Sequence, residues 1–257
     1  MKNGDMLRHI VILIAFGCSL SLAVIKTAWS EDLLFFTEHY PPYNFIGSNG
    51  EISGISTEIV QEIMKRTGFA YRIKLTPWKR AYELTLSQKN TCLFTTGRTK
   101  EREDLFKWIT PLTENPIVLF ARPTSKIKIT QFSDLSEYRI GGYLGDAAVD
   151  YLVTRNIPVE TARDDKLNVR KLQGGRIDLW VTGEMTGHAL ANKTGYEIKK
   201  IFTLTAIAGG IACNSHLSDL ITSRLQQELN TLYQQGFIER VFHKYDPNLS
   251  APIYKAN

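Results

Sequence analysis

Thr95-Thr96-Gly97-Arg98-Thr99-Lys100-Glu101-Arg102 runs out of an apolar strand pattern at Cys92-Leu93-Phe94 and leads into Phe106-Lys107-Trp108. A strand that ends in a glycine turn and passes into a charged segment marks the place where α/β sheets bind ligands, outside the carboxyl ends of their strands. Arg98 and Arg102 follow the turn at the mouth of a predicted helix, where backbone amides and fixed positive charge hold a carboxylate. Thr99 is the expected N-cap of that helix. The charges from Lys100 to Lys107 alternate in sign, as on a solvated helix face.

Outward from this junction the chain alternates between two periodicities. Leu33 to Thr37 and Tyr71 to Leu75 have strand length. Between them, a helix from Ser56 puts Ile59, Val60, Ile63 and Met64 on one face, has Glu58 near its positive end, and stops at Gly68. Thr76-Pro77 reads as cap and first helical position before a helix over Trp78 to Leu86. Pro116 to Ala121 is an expected buried strand, and Arg122-Pro123-Thr124-Ser125 a turn that ends the first αβ set.

A second set begins at Ser133-Asp134-Leu135. It continues with a strand from Arg139 to Leu144, a helix from Asp146 toward Arg155, and strands at Val159 to Ala162 and Ile177 to Thr182. Ala206 to Cys213 is a further buried strand, whose Gly209-Gly210 suit a hinge. Leu217, Leu225, Leu229 and Leu232 keep a terminal helix apolar on one face up to Gly236, and Phe237 to Tyr245 resumes it. The alternation predicts an α/β fold with helices on both faces of its sheets.

Residues 1–30 read as an export signal: Lys2 and Arg8 precede an apolar run from Ile10 to Ile25, and Ala28 and Ser30 supply small residues for cleavage near Ser30. A periplasmic location is expected. Cys18 after Ala15-Phe16-Gly17 offers a lipoprotein alternative, which fits less well because Ala15 stands where leucine is usual. The whole chain carries a formal net charge of +5. Losing Lys2, Arg8, Lys26 and Asp5 with the leader leaves +3, with no basic cluster, so nucleic acid is not an expected partner. The mature part keeps two cysteines, Cys92 and Cys213, too few for a cysteine-rich scaffold or a CxxC zinc site.

Tyr40-Pro41-Pro42-Tyr43, Gly54-Ile55-Ser56-Thr57-Glu58-Ile59, Thr99-Lys100-Glu101-Arg102 with Phe106 and Trp108, Gly141 to Gly145, and Gly175-Arg176-Ile177-Asp178 occur in an order and spacing that resemble the extracytoplasmic solute-binding proteins of family 3, the amino-acid type of ABC-transporter receptor. The likeness covers essentially all of the mature chain. It implies a two-lobed periplasmic-binding-protein-like fold of type II, with mixed sheets flanked by helices and a ligand cleft between the lobes. Lobe 1 is then residues 31–121 plus 212–257, and lobe 2 residues 122–211. The expected partners are a small-molecule ligand and an ABC permease in the inner membrane; the receptor is expected to be a monomer, without a cofactor.

Carried over by position, the resemblance puts Arg102 on the ligand carboxylate, Tyr40 and Trp78 against the ligand, and Thr95, Gly97 and Thr99 in a polar stretch that binds through hydroxyls and amides. Arg102 also has a plain reading, as a surface partner of Glu101, Glu103 or Asp104. Arg98, Tyr143, Asp146 and Glu184 complete the expected ligand set. Two departures matter. Gly183 stands where the family usually has an aspartate for an ammonium group, and a buried ammonium without an anion costs several kcal/mol; Glu184, Asp146 or Glu38 must replace it, or the ligand is not an ordinary α-amino acid. Asp146-Ala147 stands where a Ser/Thr pair is usual, and an N-cap aspartate satisfies the amides that would receive a carboxylate. Asp178 reads as structural, capping the strand approach or pairing with Arg176. In the fold that the resemblance implies, Cys92 and Cys213 fall on neighbouring strands, where a bridge or a close thiol pair can form but the sequence does not decide between bridged and free cysteines.

Catalytic patterns are sparse: GxSxG, HExxH, the P-loop and GxGxxG are all missing. The histidines lack metal spacing, and the chain is expected not to be an enzyme. Two rivals share the same fold. A periplasmic enzyme resembling cyclohexadienyl dehydratases needs only an acid such as Glu38, Asp146 or Glu184 in the cleft, and a ligand-binding partner of a membrane sensor has the same sequence features as a transport receptor.

Overall fold

In the computed structural model, residues 32–253 are described; the expected signal, its cleavage point and the Cys18 alternative lie outside them. Among the described residues no helix is long and apolar enough to cross a membrane. The first half contains β1 (Leu33–Thr37), β2 (Phe45–Ile46), β3 (Ile52–Ser53), α1 (Ile55–Thr67), β4 (Tyr71–Leu75), α2 (Trp78–Ser87), β5 (Thr91–Gly97) and the long β6 (Phe106–Ala121). Next come β7 (Ile140–Tyr143), α3 (Ala147–Val153), β8 (Val159–Ala162), α4 (Lys166–Gln173), β9 (Leu179–Gly183), α5 (Glu184–Thr194) and β10 (Lys199–Asn214). The chain closes with α6 (Asp219–Gln234) and α7 (Phe237–Tyr245).

The main sheet has the order β4-β1-β5-β10-β6-β9-β7-β8. Its two outer groups, β4-β1-β5 and β9-β7-β8, pair in parallel. Parallel neighbours need crossover connections, which α1 and α2 supply on one side and α3 and α4 on the other. The 16-residue strands β6 and β10 pair antiparallel with each other and join the two groups. The fold is therefore two α/β lobes tied by two long strands. One core gathers Phe35, Ile59, Ile63, Phe94, Leu229 and Phe242; separate cores gather Leu119, Ile140, Leu152 and Val181, and Phe120, Val169, Trp180 and Leu190.

Local sequence explains the element ends. Gly68 closes α1 with φ 70°, a conformation glycine adopts at no steric cost. Asp146 caps α3 by accepting from the Ala148 amide at 2.6 Å. Cys92 and Cys213 stand opposite each other on β5 and β10 and are joined as a disulfide.

Four expectations are corrected. The segment after Arg98 forms turns and one 3-10 turn over Glu103–Leu105, with Arg102 and not Thr99 at its cap, because burial of Phe106 and Ile109 against β10 draws the chain into β6 before a helix can develop. β6 starts ten residues earlier than Pro116 and β10 seven earlier than Ala206; Thr113, Glu114 and Asn115 interrupt the apolar pattern where the strand passes between lobes. Pro77 is itself the N-cap of α2. Asp178 pairs with Arg139 at 2.7 Å, across the β7 entry, and not with Arg176. Helices α4 and α5 add elements to which no sequence signal was assigned.

Candidate functional site

The carboxyl ends of β1 and β5, the start of α2, the turn before α3 and the middle of β6 and β10 converge on a chamber of about 40 Å³. Trp78 and Arg102 also line a wider recess of about 360 Å³, together with Tyr82, Leu86 and Leu144.

Strand irregularity shapes the inner wall. Between the pairs Thr96–Gly210 and Phe94–Ile211 the register of β5 on β10 slips by one residue, leaving Thr95 as the extra one. Thr95 has φ 63°, a left-handed conformation unusual for a β-branched residue. Its hydroxyl donates to Asn44 Oδ1. Gly97 follows at a tight crossing: a Cβ there would come within 3.2 Å of both Ala147 and Ile207.

Arg102 enters the chamber from the turn after β5 and is only 5% exposed. Its guanidinium lies 5.4 Å from the ring centroids of both Trp78 and Tyr82. It donates to the Gly145 carbonyl at 3.0 Å and to Asp150 Oδ2 at 2.7 Å. The surface pairing with Glu101, Glu103 or Asp104 weighed from sequence is therefore replaced by a bond across the cleft to α3. Trp78 also reaches across, its Nε1 donating to Gly145 O at 2.7 Å.

Carboxyl groups crowd the opposite side. Burial pushes the Glu38 carboxyl up to about 8, against the Tyr143 hydroxyl that hydrogen-bonds it; the charges of Asp146 and Asp165 add to the shift and that of Arg102 opposes it. Burial likewise raises Asp146, opposed by the Ala148 amide and Arg102. Asp165, up to about 7 through burial, accepts from Asn168, Trp180 and Thr182 at 2.9 Å each. Tyr40, 7% exposed, accepts from Asn115 Nδ2 at 3.2 Å and stacks on Tyr43.

Of the residues expected from sequence, the structure thus brings Tyr40, Trp78, Thr95, Gly97, Arg102 and Asp146 together around the chamber, with Tyr143 behind Glu38. Three lie elsewhere. Arg98 is bound to Glu103 and Thr110 on the surface, Thr99 lines a different recess beside Arg155, and Glu184 pairs with Lys200. Asn115, Thr113, Asp150 and Asp165 entered no sequence-level ligand set. Only Tyr82 carried a usable signal, standing four residues after Trp78 on the same helix face.

Gly183 ends β9 with φ −67° and ψ 139°, which any residue adopts. Space, not backbone, excludes a side chain: a Cβ would stand 1.9 Å from Asn115 Nδ2 and 2.7 Å from the Tyr40 hydroxyl. Among the described residues no group of three or more His, Cys, Asp or Glu could hold a metal ion.

A family model described as bacterial extracellular solute-binding proteins, family 3, matches residues 34–255. A curated relative, the L-cystine-binding protein TcyJ of Escherichia coli K12, is 25% identical over 158 residues, 60% of this chain and 59% of its own length. Among solved structures, a histidine kinase sensor domain with similarity to periplasmic binding proteins aligns with a TM-score of 0.80 at 19% identity, over 86% of this chain and 98% of that one. The arginine-, lysine-, histidine-binding protein ArtJ of Geobacillus stearothermophilus aligns with 0.76 at 16% identity, over 85% and 96%. At such identities these structures attest the fold alone.

Proposed function

Because the chain belongs to the bacterial extracellular solute-binding proteins of family 3, we propose that it is a periplasmic receptor that captures a small polar ligand, an amino acid or related carboxylate-bearing compound, and delivers it to an ABC permease. Lobe 1 comprises residues 31–121 with 212–257 and lobe 2 residues 122–211, and β6 and β10 carry the hinge. The separate cores on the two sides support that division.

The observation that carries the reading is the position of Arg102. A buried guanidinium sandwiched near two aromatic rings has its donors aimed across the cleft, where the Asp150 carboxylate meets them. Asp150 is a carboxylate in the place a ligand carboxylate would take, and its side chain is 46% exposed, free to swing away. Opening parts the lobes, the ligand exchanges with Asp150 at Arg102, and closure rebuilds the contacts of Trp78 and Arg102 with Gly145 around it. A charged hydrogen bond of this type contributes about 1.5 to 3 kcal/mol.

The test is a thermal-shift panel of amino acids and small organic acids, followed by calorimetry of the best binder on wild type and Arg102→Gln. At least a tenfold weakening is expected, from about 1.4 kcal/mol per decade. Unchanged affinity removes Arg102 from the site; conversion of the binder to product on incubation replaces the receptor with the enzyme reading. Retention of the chain by a membrane sensor in place of a permease favours the sensor.

A further inference from the structure

Helix α5 is divided between two cores. Its Leu190 packs with Phe120, Val169 and Trp180, in the middle part of the chain to which α5 itself belongs. Met185, in the first turn, packs instead against the core that gathers Phe35, Ile59, Phe94 and Phe242 from the two ends of the chain. There the Tyr43 hydroxyl donates to Met185 Sδ at 3.0 Å. A thioether on an unbranched, polarizable side chain fits an irregular gap and accepts a weak hydrogen bond.

Tyr43 ties this contact to the chamber. It is fully buried, and its ring stacks on Tyr40 with centroids 6.1 Å apart and an interplanar angle of 16°. Tyr40 in turn lines the chamber. Gly183, two positions before Met185, sets the start of α5 against Tyr40 and Asn115, whose polar ends fill the space that a Cβ would need. Met185 stands outside the chamber wall. It lines a separate groove of about 800 Å³ with Pro42, Glu114 and Leu249.

Resting on the receptor reading above, in which α5 belongs to lobe 2, we propose that Met185 is a latch for cleft closure. It is a positioning residue: its side chain docks against the lobe 1 core beside Tyr43 when the lobes meet, and withdraws into the groove when they part. Docking buries the apolar side chain and gives the Tyr43 hydroxyl its acceptor, so both gains belong to the closed form. A ligand held in the closed form gains affinity in proportion to the closed population. Met185 therefore tightens binding without touching the ligand, by slowing release. The stack of Tyr40 on Tyr43 makes the latch responsive to the chamber, because a ligand that fixes the Tyr40 ring also fixes the ring beside which Met185 docks.

Met64 and Met185 are the only methionines after residue 30. The mature chain, expressed behind a cleavable leader and labelled at its methionine methyl groups, therefore gives one NMR signal for the latch and one, from the buried Met64, for reference. The probes are the standard amino acids and small organic acids, ranked by thermal shift. With the best binder among them at saturation, Tyr43→Phe is expected to move the Met185 methyl signal more than that of Met64. Met185→Ala is expected to weaken that binder at least about fivefold through faster release, with association unchanged, and Met185→Leu, which restores the bulk, to return it to within about twofold. Leu190→Ala, on the same helix but in the core of its own lobe, should lower the melting temperature without this change in release, which separates the latch from a merely structural role. If Met185→Ala binds and releases as wild type does while Arg102→Gln is weakened, the latch is wrong and the receptor reading stands. If no probe binds the wild type, both fail.

Discussion

Substituting Gly183 by alanine adds one methyl group at a site whose backbone accepts any residue, so its cost reads out the packing around position 183. The new Cβ would lie 1.9 Å from Asn115 Nδ2 and 2.6 Å from Asn115 Cγ. The amide must retreat by roughly 1.5 Å to reach an ordinary contact, and at that distance its 3.2 Å bond to Tyr40 is gone. Overpacking of a rigid site costs about 1 to 3 kcal/mol, and the lost hydrogen bond about 1 kcal/mol more. The expected loss of about 2 to 4 kcal/mol corresponds to roughly 5 to 12 °C in melting temperature for a chain of this size. Urea unfolding of Gly183→Ala, Asn115→Ala and the double variant forms a cycle, and a favourable coupling of at least about 1 kcal/mol is expected because Asn115→Ala opens the space that the new methyl group then fills. An unaltered melting temperature for Gly183→Ala, or additive costs in the cycle, refutes the account of why position 183 is glycine.

Three other outcomes follow from the same fold. The disulfide closes a loop spanning 121 positions, for which chain entropy gives about 5 kcal/mol; the Cys92→Ala/Cys213→Ala variant should lose several kcal/mol in urea under non-reducing conditions, and a loss below 1 kcal/mol contradicts it. Glu38 and Asp165 bind their protons more tightly folded than unfolded, so the ligand-free protein should be most stable below about pH 4 as far as these groups are concerned. That contribution is lost as pH rises toward about 7 for Asp165 and about 8 for Glu38, at up to about 1.4 kcal/mol per pH unit for each group; Glu38→Gln should flatten the slope between pH 5 and 8 in a series of melts, and an unchanged slope counts against it. Arg98→Ala should leave ligand affinity within twofold and stability within about 1 kcal/mol, since its guanidinium serves a surface pair with Glu103; calorimetry showing a tenfold loss would return Arg98 to the site.

Much of the fold was legible because it is written in short-range pattern. The apolar face of α1, the stop at Gly68, the Asp146 cap and the strands β1, β4, β5 and β8 follow from periodicity and capping chemistry that act within a few residues. The long strands were legible only where they are buried. Thr113, Glu114 and Asn115 break the apolar run of β6 because that stretch passes between the lobes, and a reading based on hydrophobic pattern stops there. The helix expected after Arg98 failed for a related reason: the propensity of Lys100 to Lys107 is weak against the burial of Phe106 and Ile109 in a strand pair.

The sequence by itself pointed to the family and the α/β alternation, and it proposed Arg102, Trp78 and Tyr40 as ligand-site residues, which the fold gathers around one chamber. It also marked Gly183 as a departure from the pattern that the resemblance implies, in which an acid is usual. Tertiary structure alone decided what fills that gap, because Asn115 and Tyr40 are 75 positions apart and meet only through the pairing of strands from both halves. It likewise chose Asp150 as the partner of Arg102, turned Arg98 and Glu184 to the surface, and left Glu38 and Asn115 with unmatched oxygens inside the chamber. Residue type and spacing fix which groups a chain owns; burial and the directions of side chains in the folded state fix which of them remain free to bind.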